Sequence, residues 1–285
     1  MNIAFVILNY NTKMESSKSI RSIVQINGAY QENIVLVDNA SKERIDDLKR
    51  DFPNVHYICS EYNVGFAKGN NLGYFYAKHY LNAEFVVVLN SDVIIDQKNF
   101  LSIIDKIYRD RHFFILGPDI VNLQGTHQNP ASRVLKSRRE VQIGIIINCL
   151  RYMKNSFFMM NNNKKKRSEK NWKNDDINVP IHGACVIFSP LFLEMHEHAF
   201  YPETFLFGEE EFLYFNAIQN NETIIYSTQI EVIHIEDAST DKTYVNLKEK
   251  KKFVLSNSIY SLHLLNKYMK EKGAFRAKTR NNDDF

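Results

Sequence analysis

Long apolar runs are absent from the sequence. The longest, residues 85–89 and 143–150, are far shorter than the roughly 20 residues that a membrane-crossing helix needs. The first apolar run, residues 3–8, lacks the basic region and the cleavage site of a secretory signal peptide. These absences argue against a membrane-spanning protein and predict a cytoplasmic one.

Cysteine is also scarce. The three cysteines, Cys59, Cys149 and Cys185, are odd in number, lie far apart and form no Cys-X-X-Cys pair. This spacing excludes a disulfide framework and a zinc ribbon. We therefore expect all three to be buried, reduced thiols.

The remaining composition is that of an ordinary globular protein, but its charge is unevenly distributed. The 285 residues are 44% hydrophobic and 24% charged, enough for one large domain or two modest ones. Of the formal net charge of +3, residues 164–173 carry +5 and residues 242–280 carry +9, which leaves about −11 elsewhere. Such segments indicate either an anionic partner, which would be a membrane leaflet or a polyanion, or solvated charge. They lack the interleaved aromatic residues of a nucleic-acid-binding module, so no nucleic acid is expected.

Hydrophobic periodicity in the first half predicts an α/β fold. Apolar runs and helix-like segments alternate in the order β-α-β-α-β-α-β, with strands at residues 3–8, 34–37, 55–59 and 85–89 and helices at residues 14–26, 43–51 and 65–80. Strands that are apolar on both faces are typical of a parallel sheet covered by helices on both sides. Ligands of such sheets bind at the C-terminal ends of the strands.

The second half is less regular. The predicted elements are strands at 113–116 and 179–188, helices at 190–197 and 209–220, and a strand or hairpin at 223–235. Residues 155–176, rich in Asn and Lys, predict a mobile loop. A final helix is predicted over residues 247–272 by an apolar stripe of Leu255, Ile259, Leu262, Leu265 and Met269.

Carboxylates follow two of the predicted strands. Asp92, in Asn90-Ser91-Asp92, could bind a divalent cation, although such a triplet is also common in turns. Asp38 could accept a hydrogen bond from a nucleotide base or a ribose hydroxyl. Alternatively, Asn39 or Ser41 caps the next helix, with Asp38 interacting with its dipole.

Residues 63–71 place Gly65 and Gly69 around the start of a helix. Exposed backbone N–H groups and Lys68 at such a place would suit a phosphate group. The segment matches neither G-x-G-x-x-G nor G-x-x-x-x-G-K-[ST], so a dinucleotide fingerprint and a P-loop are not supported.

In this order and spacing, segments 7–11, 37–41, 63–70 and 89–92 together resemble family 2 glycosyltransferases of the GT-A fold. The resemblance continues through a glycine-alanine strand, an aromatic turn ending in an acidic pair, and a closing histidine motif. These lie at residues 183–187, at residues 205–211, and at residues 232–234 with Ser239. It covers residues 2–240. It implies a Rossmann-like mixed sheet with a parallel N-terminal half, helices on both faces and a C-terminal helical extension.

The resemblance also implies a domain plan. A GT-A glycosyltransferase domain would occupy residues 1–240, divided into a nucleotide-binding half, 1–112, and an acceptor half, 113–240. A basic helical extension, 241–285, would follow.

Individual roles come from the same resemblance. Asp38 would face the N3–H of uracil or thymine, which implies a UDP-sugar or dTDP-sugar donor. Asp92 would bind the Mn²⁺ or Mg²⁺ that bridges the donor diphosphate, and His234 would complete the coordination unless it is a satisfied core histidine. The other donor-binding positions implied are Asn9, Tyr10, Asn11, Asn39, Gly65, Phe66, Asn70, Asn90 and Ser91.

Two positions depart from the family pattern. Glu210 stands where the general base is usually Asp, and Glu209 and Glu211 are adjacent rivals for the role. Asn90 stands at the first position of the metal triplet, where the family has Asp, which leaves Asp92 as the main ligand.

The function implied is a metal-dependent, inverting transfer of a sugar to a hydroxyl of a glycan or lipid-linked acceptor, in bacterial cell-surface polysaccharide synthesis. The enzyme would work in the cytoplasm or peripherally on the inner face of the plasma membrane. The substitutions at Asn90 and Glu210 leave open an inactive relative that serves as partner subunit of a polysaccharide assembly complex. A sugar-nucleotide pyrophosphorylase is disfavoured, because residues 9–13 are not the Gly-rich, Arg-containing loop of those enzymes.

Overall fold

A computed structural model describes residues 1–131, 137–157, 172–235 and 246–272. Its strands are β1 (Ile3–Asn9), β2 (Ile34–Asp38), β3 (His56–Cys59), β4 (Phe85–Asn90), β5 (Val93–Ile94), β6 (Ile115–Asn122), β7 (Asp176–Ile177), β8 (Cys185–Phe188) and β9 (Ile224–His234). Its α-helices are α1 (Lys13–Ile23), α2 (Asp46–Asp51), α3 (Phe66–His79), α4 (Phe100–Arg111), α5 (Arg138–Phe157), α6 (Pro190–Met195), α7 (Glu209–Asn220) and α8 (Leu247–Lys272).

The strands form one mixed sheet of nine strands in the order β3-β2-β1-β4-β8-β6-β9-β5, with β7 paired to β9. The first four strands in this order are parallel, whereas β8 runs antiparallel to both β4 and β6. The predicted parallel N-terminal half within a mixed sheet is therefore confirmed. Its register sets Asn9 beside Asp38 and Leu8 beside Asn90, so polar residues meet at one edge.

Two apolar cores cover the two faces of the sheet. On β1, Phe5 and Ile7 face the core under α1, α2 and α4, while Ala4 and Val6 face the core under α3 and the later helices. This alternation follows from the two-residue period of a strand. Helix α3 lies so close to the sheet that a Cβ on Gly73 would come within 2.3 Å of Val6.

The C-terminal helix has the predicted bounds, and its stripe packs on the second core. Leu262, Leu265 and Met269 are buried there, while Leu255 and Ile259 are half-buried. No helix in the described residues is both long and apolar enough to span a membrane.

Several sequence-based boundaries were wrong. Helices α4 and α5 were not predicted, and the strand expected at residues 179–188 is confined to Cys185–Phe188. The loop expected at 155–176 is helical up to Phe157 and reaches the first residue of β7, and residues 158–171 lie outside the described parts. Asp175, just before β7, accepts hydrogen bonds from Arg111 and Ser227. Helix α5 was missed because its exposed face is apolar as well as its buried face, which removes the amphipathic period.

The prediction for the cysteines holds at one of the three positions. Cys185 is buried in β8, Cys149 is half-buried, and Cys59 is exposed. Cys59 ends β3, the edge strand of the sheet, whose residues are only partly covered.

Candidate functional site

Asn9 organises the polar edge of the sheet. Its side chain is fully buried at the end of β1, and its Nδ2 donates to Asp38 Oδ1 at 2.7 Å and to Ser41 Oγ at 3.1 Å. Its Oδ1 accepts from the hydroxyls of Thr12 and Ser16, both at 3.0 Å. Asn9 therefore fixes the orientation of the Asp38 carboxylate from beneath.

The loops after β1 and β2 are joined through the next residues. Asn11 has a left-handed backbone with φ of 57°; its N–H donates to Ser41 Oγ at 2.9 Å, and its side-chain Oδ1 accepts from the Lys42 N–H at 2.8 Å. Tyr10, between Asn9 and Asn11, is half-buried. These contacts pin Asn11 and Ser41 beside Asp38.

The helix-cap alternative for this segment is wrong. Helix α2 begins only at Asp46, so neither Asn39 nor Ser41 caps it. Instead, Asn39 Nδ2 donates to Asn63 Oδ1 at 3.0 Å and to the Gly65 carbonyl at 3.2 Å, and its Oδ1 accepts from the Val64 N–H at 2.9 Å. Asn39 thus ties the end of β2 to the loop before α3.

The proposed phosphate loop at the start of α3 is not an open one. Gly65 has φ of 88°, and the Phe66 N–H donates to the Phe205 carbonyl at 2.6 Å. A Cβ on Gly65 would lie 2.4 Å from that same oxygen. The glycine therefore permits close approach of the 205–208 turn, and the Phe66 N–H is not available to a phosphate.

Two further predicted binding residues lie inside the fold around α3. The Phe66 ring packs against Phe200 with centroids 5.3 Å apart. Asn70 is fully buried; its Nδ2 donates to the Phe66 carbonyl at 3.0 Å, and its Oδ1 has no hydrogen-bond partner among the described residues. The Phe66 ring therefore packs inside the fold, and the Nδ2 of Asn70 bonds within α3.

The Asn90-Ser91-Asp92 triplet reaches the same edge from β4. Ser91 Oγ lies 2.8 Å from Thr12 Oγ1, which itself bonds Asn9. The Asn90 N–H donates to the Ala184 carbonyl at 2.9 Å, so the triplet also borders the start of β8.

His234 and Asp92 face each other. His234 Nε2 lies 3.3 Å from Asp92 Oδ1, and its Nδ1 lies 2.8 Å from Gln128 Oε1. Val93 of β5, the residue after Asp92, is the strand partner of His234 at the end of β9. This pairing holds Asp92 next to the histidine. His234 is buried, but it is not a lone core histidine.

This pair suits a divalent cation. Two ligand atoms that each lie about 2.1 Å from one Mg²⁺ are about 3 Å from each other, and Asp92 Oδ1 and His234 Nε2 are 3.3 Å apart. The described parts of the chain contain no group of three or more His, Cys, Asp and Glu side chains fit for a metal. Mg²⁺ and Mn²⁺ commonly take one or two protein ligands and fill their other positions with substrate phosphates and water.

Three acidic side chains begin α7, directly after Gly208, whose φ is 102°. Glu210 Oε1 accepts from the Gly183 N–H at 3.2 Å, and a Cβ on Gly183 would come within 3.0 Å of that oxygen. Glu210 thus contacts the segment just before β8, next to the Ala184 carbonyl that bonds Asn90. Carboxylates at this position are favoured by the helix dipole.

Glu209 and Glu211 differ from Glu210 in their surroundings. Burial, and then the charge of Glu210, raise the pKa of Glu209 to about 8; its Oε1 has no hydrogen-bond partner in the described chain. Burial and Glu210 also raise the pKa of Glu211 to about 7. Glu209 is only 3% exposed, so it is poorly placed to reach a substrate.

Several residues of the site carried no usable signal in the sequence. Gln128 contacts His234, Thr12 links Asn9 to Ser91, and Asn129 Oδ1 accepts from the His182 N–H at 2.6 Å. The His182 and His234 rings lie 5.7 Å apart. These contacts join loops that are distant in the chain, so no local sequence pattern predicts them.

Comparisons with known proteins agree with this geometry. Residues 4–193 match the family described as Glycosyl transferase family 2. Over 270 residues the chain is 27% identical to the low-salt glycan biosynthesis hexosyltransferase Agl10 of Haloferax volcanii, covering 91% of this chain and 77% of that protein. Over 136 residues it is 26% identical to the dTDP-rhamnosyl transferase RfbF of Shigella flexneri, covering 48% of this chain and 44% of that one.

Solved structures show the same fold at low sequence identity. S. aureus TarS 1-349 in complex with UDP superposes with a TM-score of 0.54 at 15% identity, covering 95% of this chain and 72% of that one. GalNAc-T7 with UDP, GalNAc and Mn²⁺ superposes with a TM-score of 0.54 at 14% identity, covering 95% of this chain and 54% of that one. Both neighbours are GT-A glycosyltransferases. The chain therefore belongs to glycosyl transferase family 2, and it is a nucleotide-sugar-dependent glycosyltransferase with the GT-A fold.

Proposed function

We propose that this enzyme transfers a hexosyl or rhamnosyl group from a UDP-sugar or dTDP-sugar to a hydroxyl of a glycan or lipid-linked acceptor, with inversion at the anomeric carbon and with Mn²⁺ or Mg²⁺. One observation carries the proposal: Asp38, the Asp92–His234 pair and Glu210 are brought to the same edge of the sheet by hydrogen bonds of their neighbours. Asn9 bonds Asp38 and Thr12, and Thr12 bonds Ser91. Asn90 bonds Ala184, and the adjacent Gly183 bonds Glu210.

The nucleotide would be recognised by Asp38. A carboxylate accepts hydrogen bonds, and uracil and thymine offer an N3–H, whereas cytosine has no proton at N3. The bond from Asn9 Nδ2 holds one carboxylate oxygen at 2.7 Å and so restricts the direction in which the other can point. Asp38 should therefore bind the uracil of UDP or the thymine of dTDP in preference to the cytosine of CMP.

The donor diphosphate would lie beside Asp92 and His234. When bound there, a divalent cation neutralises the charge that develops on the leaving diphosphate. Asp92 would supply an anionic oxygen and His234 a neutral nitrogen, a ligand set that Mn²⁺ prefers and Mg²⁺ tolerates. Asn90 replaces the usual carboxylate, so the chain offers this site less negative charge than the family pattern would.

Glu210 would act as the general base. Its carboxylate takes the proton of the acceptor hydroxyl as that oxygen bonds to the anomeric carbon, and the bond between this carbon and the diphosphate breaks. The nucleoside diphosphate leaves with the bonding electrons. One displacement of this kind inverts the anomeric centre and needs no covalent enzyme intermediate.

The acceptor is proposed from the relatives and from the charge distribution. The relative from Haloferax volcanii is named for glycan biosynthesis, and the one from Shigella flexneri is named a dTDP-rhamnosyl transferase. We therefore infer a growing glycan or a lipid-linked intermediate of bacterial cell-surface polysaccharide synthesis, met in the cytoplasm at the inner face of the membrane. Most of the basic range 242–280 lies in or beside α8, whereas residues 242–245 and 273–280 lie outside the described residues.

The experiment is a donor assay on the purified protein. UDP-glucose, UDP-N-acetylglucosamine, dTDP-rhamnose, GDP-mannose and CMP-sialic acid are each incubated with Mn²⁺ and a glycan-lipid extract, and release of free nucleotide is measured. We expect release from UDP- or dTDP-sugars only, and release about 10²- to 10⁴-fold slower from the Glu210→Gln variant. Nucleotide binding without release from any donor would contradict the proposal and favour the inactive partner subunit.

A further inference from the structure

Helix α5 carries a stripe of exposed apolar side chains. Ile143, Ile146, Leu150 and Met153 are 48%, 59%, 56% and 50% exposed. Their spacing of three, four and three residues places them on one face of the helix. The opposite face, with Val141 and Ile145, is buried in the second core. We call these four residues the α5 stripe.

A helix that is apolar on two opposite faces is usually covered on both. The inner face of α5 is covered by the protein and lies against α8, where Arg138 Nε donates to Asn266 Oδ1 at 2.9 Å. The outer face presents four large side chains in a row, whereas single exposed apolar residues are normal on a protein surface. The α5 stripe therefore marks a surface that meets a partner.

The charges around the stripe identify the chemistry of that partner. Arg139, Arg151 and Lys154 are exposed on the same helix. Helix α5 has a formal charge of +3 and α8 of +5, which leaves about −5 on the remainder of the chain. Apolar side chains bordered by basic ones, on a protein that is otherwise acidic, are complementary to the headgroups and acyl chains of an anionic leaflet.

The same charges disfavour a second copy of this chain. In a symmetric dimer each stripe would face the other, which would bring the basic borders of both helices together. That repulsion is absent when the partner surface is anionic.

The stripe is connected to the candidate site through α8. Ser261 of α8 packs on Gly208, where an added Cβ would lie 2.9 Å from the serine Cβ. Gly208 directly precedes the acidic turn that holds Glu210. A surface bound through α5 and α8 thus lies on the helical layer that supports the proposed general base.

We propose that the α5 stripe inserts into the headgroup region of an anionic membrane and that the basic side chains of α5 and α8 hold the enzyme there. This proposal rests on the proposed function only for the statement that a lipid-linked acceptor is met at that surface. The vesicle binding itself is independent of catalysis.

The test is co-sedimentation with vesicles of phosphatidylcholine containing 30% phosphatidylglycerol, at low salt. The variant Ile146→Ser with Leu150→Ser is compared with the matched control Leu123→Ser with Met195→Ser, which changes two residues that are 65% and 62% exposed elsewhere. We expect the wild type and the control to sediment alike and the stripe variant to bind at least tenfold more weakly. Binding should also fall at high salt and with pure phosphatidylcholine.

Insertion is tested separately with Ile146→Trp, which keeps an apolar side chain in the stripe. Its fluorescence should shift to the blue on addition of the anionic vesicles, beyond any shift of the wild type, whose single tryptophan is Trp172. No sedimentation of the wild type, or equal sedimentation of stripe and control variants, would overturn the proposal. A dimer in light scattering that the stripe substitutions dissociate would assign the surface to a second copy instead.

Failure of the membrane proposal is distinguishable from failure of the proposed function. Nucleotide release with a water-soluble acceptor should be the same for the wild type and the stripe variant. If the wild type bound vesicles but released no nucleotide from any donor, only the proposed function would be rejected.

Discussion

His234 and Asp92 are 142 residues apart in the sequence, yet His234 Nε2 lies 3.3 Å from Asp92 Oδ1. The pairing of β5 with the last residues of β9 produces this contact, because Val93 is the register partner of His234. Either residue alone has an ordinary structural explanation. Their convergence at the edge of the sheet makes them the best candidate for a metal-binding pair.

Removing either member of this pair should abolish metal-dependent activity. We expect Asp92→Asn and His234→Gln each to lower nucleotide release at least a hundredfold and to abolish the stabilisation by Mn²⁺ of the complex with UDP in thermal unfolding. EDTA should have the same effect on the wild type. Full turnover in EDTA would contradict the metal assignment.

Gln128 should fix the tautomer and the orientation of the His234 ring without contacting the substrate. Its Oε1, 2.8 Å from His234 Nδ1, accepts a hydrogen bond from the Nδ1–H and leaves Nε2 as the nitrogen that faces Asp92. Loss of such a partner commonly weakens metal binding by about 10- to 100-fold. Gln128→Leu should therefore weaken Mn²⁺ binding measured by titration calorimetry with UDP present, while Gln124→Leu, at an exposed glutamine nearby in the chain, should not.

Asp38 should determine the base preference. In the wild type UDP or dTDP should stabilise the protein against heat more than CMP does, because only the first two offer an N3–H. Asp38→Ala should lose that discrimination, whereas Asp96→Asn, at an exposed aspartate, should keep it. Equal stabilisation of the wild type by all the nucleotides would argue against this role.

Replacing the proposed base should slow the chemistry but not donor binding. We expect Glu210→Gln to reduce kcat by about 10²- to 10⁴-fold, the usual contribution of general-base catalysis. The melting shift produced by UDP with Mn²⁺ should remain. If Glu211→Gln lost activity and Glu210→Gln did not, the base would be Glu211.

Glu209 should make the fold less stable as the pH rises. Its pKa is about 8 in the folded protein against 4.5 ordinarily, so between these values the folded state keeps a proton that the unfolded state has lost. The free energy of unfolding should fall across this window, by an amount on the order of a few kcal/mol, and level off above pH 8.

The matched comparison is urea unfolding of the wild type, Glu209→Gln and Glu203→Gln at pH 5.5 and 8.5. Glutamine cannot ionise, so Glu209→Gln should lose much less stability between the two pH values than the wild type. The exposed Glu203→Gln should follow the wild type. The same slope in all three proteins would show that Glu209 is not held protonated.

Local pattern was sufficient for the first half of the sheet and for the ends of its strands. Continuous Val and Ile runs predict strands buried on both faces, and Asn9, Asp38 and Asn90 follow as the residues at which those strands end. The last helix could also be predicted from the sequence, because Leu262, Leu265 and Met269 repeat at helical spacing. Sequence periodicity is informative wherever one side of an element meets the core and the other meets water.

Long-range contact accounts for what the pattern missed. The sequence suggests that N–H groups near Phe66 could bind phosphate, but the Phe66 N–H donates to the carbonyl of Phe205, which is distant in the chain. Gln128 belongs to the site only because it contacts His234 at the end of β9. Helix α5 gave no period because its outer face is apolar too. Residue types and their order are enough to indicate the family and the strand-end residues, whereas the pairing of Asp92 with His234 and the choice among three adjacent glutamates depend on which surfaces the folded chain brings together.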